Sequence, residues 1–229
     1  MTAKKDLALQ KIEKEFEKLS NLVLEQLRLL DELIHSEKKG HQDELFQTLG
    51  ENELKIDRYE VQMDDSVIKA IVLYQPMATD LRRLFALYRM TINLERIGDL
   101  VRKVSCIYME LRESGLLEES VSTLVNLLKI TSKMVNRALL SYINKDQDLA
   151  GRTLHTDMSF DELNKKLLKK NIKAAGLPKK SQAVLNDLVD MRAILSSIER
   201  IGDHATNIAE ASIYAISGSN IRHTEPKNE

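Results

Sequence analysis

The chain has 229 residues, 43% of them hydrophobic and 30% charged, which is enough apolar material to bury a core in one or two domains without disulfides. Eight glycines, three prolines, 4% aromatic residues and no tryptophan supply too few turn formers for an all-β sandwich or barrel, so long helices remain. Thirty-four Lys and Arg against 35 Asp and Glu give a formal net charge of −1, leaving no basic surplus to neutralise a nucleic-acid backbone.

Apolar residues recur at three- and four-residue steps almost throughout, and strand-like alternation is absent. The first helix is predicted from about Lys4 to Ser36, with Leu19, Leu22, Leu27, Leu30 and Leu33 in its apolar stripe and Lys38-Lys39-Gly40 ending it. A second helix, from about His41 to Tyr74, is stopped by Gln75-Pro76, because proline lacks the amide hydrogen and restricts the residue before it. A third spans about Met77 to Glu113 and is closed by Ser114-Gly115. The fourth is expected over Glu118 to Asn144, the fifth over Asp148 to Ala175 ahead of the turn Gly176-Leu177-Pro178, and the sixth over Lys180 to Ile216. Helices this long joined by short loops hide their stripes by packing antiparallel. The expected fold is therefore all-α: two tandem antiparallel three-helix bundles at 1–115 and 116–216, related by a pseudo-twofold internal repeat, with a polar tail at 217–229.

The first residues alternate charge through every turn without an apolar signal-peptide core, and no run approaches the ~20 apolar residues of a bilayer span, so a cytoplasmic location is expected. Cys106, alone in an apolar helical stretch, reads as a buried structural thiol. No exposed apolar heptad is apparent as an oligomer seam.

The informative feature is a duplication. Leu94-Glu95-Arg96-Ile97-Gly98-Asp99 returns as Ile198-Glu199-Arg200-Ile201-Gly202-Asp203, an offset of 104 residues. The same offset carries Glu53 to Asp157 and Asp57 to Asp161, so each half holds two carboxylate pairs at i and i+4. Two further acidic pairs act as internal controls, since Glu13/Glu17 shifts onto Leu117/Val121 and Glu60/Asp64 onto Asn164/Leu168. Like charges one helical turn apart repel by a few tenths of a kcal/mol, so their repetition in register suggests a compensating cation. Residues i and i+4 share a helix face, and two such pairs on neighbouring helices present four carboxylates to one point.

In the sixth helix the stripe Val184, Leu188, Met191, Leu195, Ile198, Gly202, Ala205 is flanked by Glu199 and Asp203, which places the acids at the border of the core. Such oxygens favour hard cations such as Mg²⁺, Mn²⁺ or Fe³⁺ and also accept Zn²⁺. Gly98 and Gly202 cost about 1 kcal/mol each in a helix interior, which points to close helix approach. Arg96 and Arg200 read first as caps of local charge and second as phosphate contacts. His204 reads first as solvated or structural, and Glu32…His35, the only Glu-x-x-His, cannot alone make a ferritin-like di-iron bundle. A solvated helical adaptor and a metal-dependent phosphohydrolase stay open as alternatives, the latter lacking a visible base.

Three segments together resemble the PhoU family, over essentially the full chain: Gln75-Pro76-Met77-Ala78-Thr79-Asp80-Leu81-Arg82, then Leu94 to Asp99, then Ser197-Ile198-Glu199-Arg200-Ile201-Gly202-Asp203-His204-Ala205-Thr206-Asn207-Ile208-Ala209-Glu210. The resemblance implies metal ligation by Glu53, Asp57, Glu95, Asp99, Asp157, Asp161, Glu199 and Asp203, with Fe or Zn first and Mn or Mg open. It implies a non-enzymatic negative regulator of phosphate uptake and phosphate-starvation signalling, acting through the ABC phosphate transporter's ATPase and a sensor histidine kinase, and it allows a homodimer. An accessory protein of a different phosphate permease is the nearest alternative. Two departures stand out. Val101-Arg102-Lys103-Val104 occupies the place of Ala205-Thr206-Asn207-Ile208, so the two sites are expected to differ in occupancy or affinity. The QPxAxDLR element has no second copy, which leaves Asp80 and Arg82 as candidates for partner or phosphate contacts.

Overall fold

The computed structural model describes residues 2–112, 115–156 and 182–222. Its elements are α1 (Thr2–His35), α2 (Lys39–Tyr74), α3 (Ala78–Leu111), α4 (Gly115–Ile143), a helical segment α5 at 147–156, and α6 (Gln182–Ser217). Each helix follows from a buried stripe at helical spacing. In α2 the stripe is Leu45, Leu49, Asn52, Ile56, Met63, Val67 and Ala70, and in α1 it includes Phe16, Leu19, Val23, Leu30 and Leu33. The predicted turn Gly176-Leu177-Pro178 and most of the predicted fifth helix lie outside the described residues.

The connections are set by local chemistry. Gln75 adopts a left-handed conformation (φ 44°) and its N–H donates to the carbonyl of Ile71 at 3.0 Å, closing α2 before Pro76. The first turn is shorter than predicted. Lys39 and Gly40 open α2 instead of closing α1, because Lys38 takes the extended conformation and the Gln42 side chain donates to the Ser36 carbonyl at 2.6 Å. Asp146 caps α5, its Oδ1 accepting the Leu149 N–H at 3.0 Å.

The helices α1, α2 and α3 pack on one another, and α4 packs on α6. The duplicated elements also meet their own copies: α3 lies along α6, and α1 touches α4. One continuous core results, running from Ile12 on α1 through Met90 and Leu94 on α3 to Ile198, Ile208 and Ala215 on α6. Buried polar contacts fix the register. The Gln26 amide donates to the Leu49 carbonyl at 3.0 Å, the Tyr108 hydroxyl to the Ile34 carbonyl at 3.1 Å, and the Ser141 hydroxyl lies 2.8 Å from that of Ser212.

Two expectations about exposure are corrected. Cys106 is a free thiol only partly buried. The outer face of α2 carries Leu54, Val61 and Ile68 at seven-residue spacing, with 57%, 64% and 57% of their surface exposed, an apolar row hidden in a sequence where apolar residues recur on every face. No described helix is long and apolar enough to cross a membrane.

The contact that positions the acids is between α2 and α3. A Cβ on Gly98 would stand 3.0 Å from Ile56 Cδ1 and 3.3 Å from its Cγ2, so only a glycine allows this spacing without displacing the isoleucine. Gly98→Leu is expected to overpack the contact and destabilise the protein by about 1–3 kcal/mol, read as a lower denaturation midpoint with unchanged slope.

Candidate functional site

On α2, Glu53, Asp57 and Glu60 follow one another at four- and three-residue steps and share a face with Ile56. On α3, Glu95 and Asp99 flank Gly98. Because Gly98 seats Ile56, the two acidic rows meet: Asp57, Glu95 and Asp99 each offer an oxygen, all within 4.8 Å of one another. A cation about 2.0–2.6 Å from each oxygen spans such a set. Glu53 belongs to the same field. Burial first, then the charges of Asp99 and Asp57, push its carboxyl up to about 7. Glu95 is likewise pushed up to about 7, by burial first and then by Asp99 and Glu60.

Its Oε2 is buried and accepts no hydrogen bond; Arg96 Nε lies 3.4 Å away, within ion-pair reach but not aligned to donate. Arg96 also reaches Asp99, Nη1 to Oδ2 at 3.3 Å. The donor set is all oxygen, and one of its atoms is buried with no proton donor to meet it, so the residues fit a hard or borderline cation.

The repeat criterion passes over Glu60, whose counterpart is Asn164, yet burial and the charges of Asp64, Asp57 and Asp99 raise its carboxyl too. The unbroken spacing Glu53, Asp57, Glu60, Asp64 on one face is the signal that would have found it. Arg102, three residues after Asp99, brings the opposite charge: its Nε lies 3.6 Å from Glu53 Oε2.

In the second half, Glu199 is half-buried and Asp203 exposed on α6, while Gly202 is buried. Asp157 and Asp161 lie outside the described residues. Arg200 is exposed. His204 is not solvated: Asn93 donates its amide to the Arg89 carbonyl at 2.7 Å, which leaves Asn93 Oδ1 to accept from His204 Nδ1 at 2.9 Å. Burial, followed by Arg200 and Arg96, holds this imidazole down at about 4.

Asp80 and Arg82 sit near the start of α3, about 22 Å along the helix axis from Glu95 in the case of Asp80. Asp80 pairs with Lys5, and the Arg82 guanidinium packs where a Cβ on Gly218 would come within 3.3 Å of it. Their neighbours Thr79 and Arg83 line a separate cavity of about 430 Å³ between the halves, where Arg83 pairs with Glu13 beside Tyr142.

A family model described as the PhoU domain matches residues 16–107 and 124–212, one segment in each half. The chain belongs to the PhoU family. Among its relatives, the phosphate-specific transport system accessory protein PhoU homolog of Pseudomonas aeruginosa is 35% identical over 183 residues, 78% of this chain and 73% of that protein. The Burkholderia homolog of the same description is 31% identical over 180 residues, 77% and 74% of the two chains. The crystal structure of PhoU from Pseudomonas aeruginosa is similar with a TM-score of 0.82 at 28% identity, covering 93% of this chain and 99% of that one. The phosphate transport system regulatory protein PhoU from Streptococcus pneumoniae shares the fold at a TM-score of 0.80 and 23% identity, over 94% and 98% of the chains. Among the described residues this PhoU-family chain is all-helical, like the bundles it resembles.

The raised carboxyls give a pH signature with a definite sign. Folded Glu53 and Glu95 bind protons up to about 7, whereas their unfolded counterparts release them near the ordinary 4.5, so the native state holds more protons between these values. Stability of metal-free protein is expected to fall as pH rises from 4.5 to 7. Glu53→Gln with Glu95→Gln should flatten that slope, measured as melting temperature across the range after chelator treatment.

Proposed function

We propose that the chain is a metal-binding regulator of phosphate homeostasis, an adaptor and not an enzyme. The carrying observation is the meeting of Asp57, Glu95 and Asp99 within 4.8 Å, with Glu53 beside them and Glu95 Oε2 buried without a donor. Those four residues would hold the ion of the first half, which supplies the positive charge that the crowded carboxylates lack. Asp157, Asp161, Glu199 and Asp203 would hold that of the second. Fe or Zn is the first expectation, with Mn or Mg next.

Family membership, together with relatives named as accessory proteins of phosphate-specific transport, supports a regulatory partner role. In this reading the protein damps phosphate uptake and starvation signalling from the cytoplasm, through the ABC phosphate transporter's ATPase and the sensor histidine kinase. Its units are the three-helix bundles 1–115 and 116–216, and it self-associates as a homodimer.

Protein purified without affinity tags or chelators is expected to carry metal, and added Fe, Zn or Mn should raise the melting temperature, because a ligand that binds only the native state stabilises it. Absence of bound metal together with absence of any shift would sink the metal site. Glu95→Ala with Asp99→Ala, and separately Glu199→Ala with Asp203→Ala, should each keep the helical content and lower metal stoichiometry by about one half. The transporter ATPase or the kinase is expected to co-purify with the intact chain and not with an unrelated helical protein; equal capture by both would contradict specific docking.

A further inference from the structure

We propose that the cavity lined by Arg83 and Tyr142 is a binding site for a small amphipathic oxyanion, a carboxylate or phosphate group carried on an apolar body. The cavity, of about 430 Å³, has the size and placement that small-molecule sites favour, since residues of α1 and α3 from the first half meet residues of α4 and α6 from the second around it. It lies apart from the carboxylate site: Arg83 stands about 18 Å along the α3 axis from Glu95, so neither reading rests on the other. Part of its lining is apolar, with Phe16, Ile143, Ala215 and Ile216. Phe16 and Tyr142 meet edge to face, their ring centres 5.6 Å apart, which fixes the tyrosine ring.

The polar part of the lining holds more donors than acceptors. The Tyr142 hydroxyl is buried and has no hydrogen-bond partner among the described residues, although a phenylalanine would pack on Phe16 without leaving a polar atom unmet. Burial first, then the charge of Glu13, pushes this hydroxyl up to about 12, so at neutral pH it keeps its proton and calls for an acceptor. Arg83 pairs with Glu13, which occupies only part of a five-donor fork. Lys145 adds an ammonium that joins no ion pair among the described residues, and Thr79 adds a hydroxyl proton. The acids do not match them: Glu13 is engaged by Arg83, and Glu17 is exposed, with its carboxylate in water. An oxyanion meets the unmatched protons, and an apolar body attached to it covers the aromatic and aliphatic lining. A cation would face Arg83 and Lys145 instead, and a wholly apolar molecule would leave the Tyr142 hydroxyl as unmet as before.

The test is a calorimetric titration of the full chain with phenylacetate and, separately, with phenyl phosphate. At least one of the two is expected to bind and to raise the melting temperature, and the tighter of them names the head group. Benzyl alcohol and inorganic phosphate, which carry body and head alone, should each bind more weakly by about tenfold or more. Failure of both anions to bind, or equal binding by head or body alone, would overturn the inference. Tyr142→Phe keeps the ring against Phe16 and removes only the hydroxyl. This variant should lose about tenfold in affinity while the unliganded protein melts no lower than wild type, because the oxygen has no partner to lose. Unchanged affinity would refute the role given to the hydroxyl. Lys145 has φ 54°, a left-handed conformation that glycine adopts freely, so Lys145→Gly removes the charge without straining the backbone and should also weaken binding. Bound anion is expected to slow amide hydrogen exchange at the C-terminal ends of α4 and α6, and protection confined to α2 would place the ligand elsewhere and overturn the assignment.

Discussion

The approach of α2 to α3 at Gly98 and Ile56 is the constraint on which the rest of this molecule depends. Two helices whose facing sides carry Glu53, Asp57 and Glu60 against Glu95 and Asp99 would, on electrostatics alone, settle farther apart. The apolar seam prevents it: Ile56, Met63, Leu94 and Ile97 are fully buried, and the missing side chain at Gly98 lets Ile56 sit against the α3 backbone. Hydrophobic burial thereby holds like charges at a distance they would not choose. The carboxyls of Glu53 and Glu95 are raised by burial first and by the neighbouring acids second.

The helices were legible in the sequence because their stripes are long and Pro76 marks a boundary with a mechanism. The acids at Glu53, Asp57, Glu95 and Asp99 were legible because duplication separates a repeated pair from a chance one, and the structure brings these four together. The same filter hid Glu60, whose equivalent is an amide. Gly40, after a lysine pair, has the pattern of a helix end, yet in the fold it stands in the first turn of α2 with nothing within 4 Å of where its Cβ would be. Arg102 showed as a departure from the repeat, but its contacts with Phe46 and Gly50 lie more than fifty residues earlier on another helix. The exposed row on α2 could not be found from hydropathy, because Leu54, Val61 and Ile68 differ from their buried neighbours only in which way they face.

Polar residues at the junction of the halves show how the resemblance between repeats stops short of identity. His204 and Asn93 share a hydrogen bond across α6 and α3, whereas the positions related to them by the repeat are Leu100 and Ser197. The histidine is thus occupied in holding two helices together and is kept neutral by burial. At the far end of α3, Asp80 pairs with Lys5 near the start of α1, and Arg82 packs beside Gly218 just past α6.

The pairing of α3 with α6 and of α1 with α4 has a consequence for how such a molecule can change over time. In an assembly of two separate identical subunits, every substitution is made twice, so a contact across the axis must suit both sides. Here the two copies are joined in one polypeptide, and their meeting is an intramolecular event that dilution cannot undo. Each side is then free to drift alone. A histidine can face an asparagine on one side while leucine and serine stand on the other, and an arginine can stand beside Glu53 at position 102 while the repeat-related position 206 is a threonine.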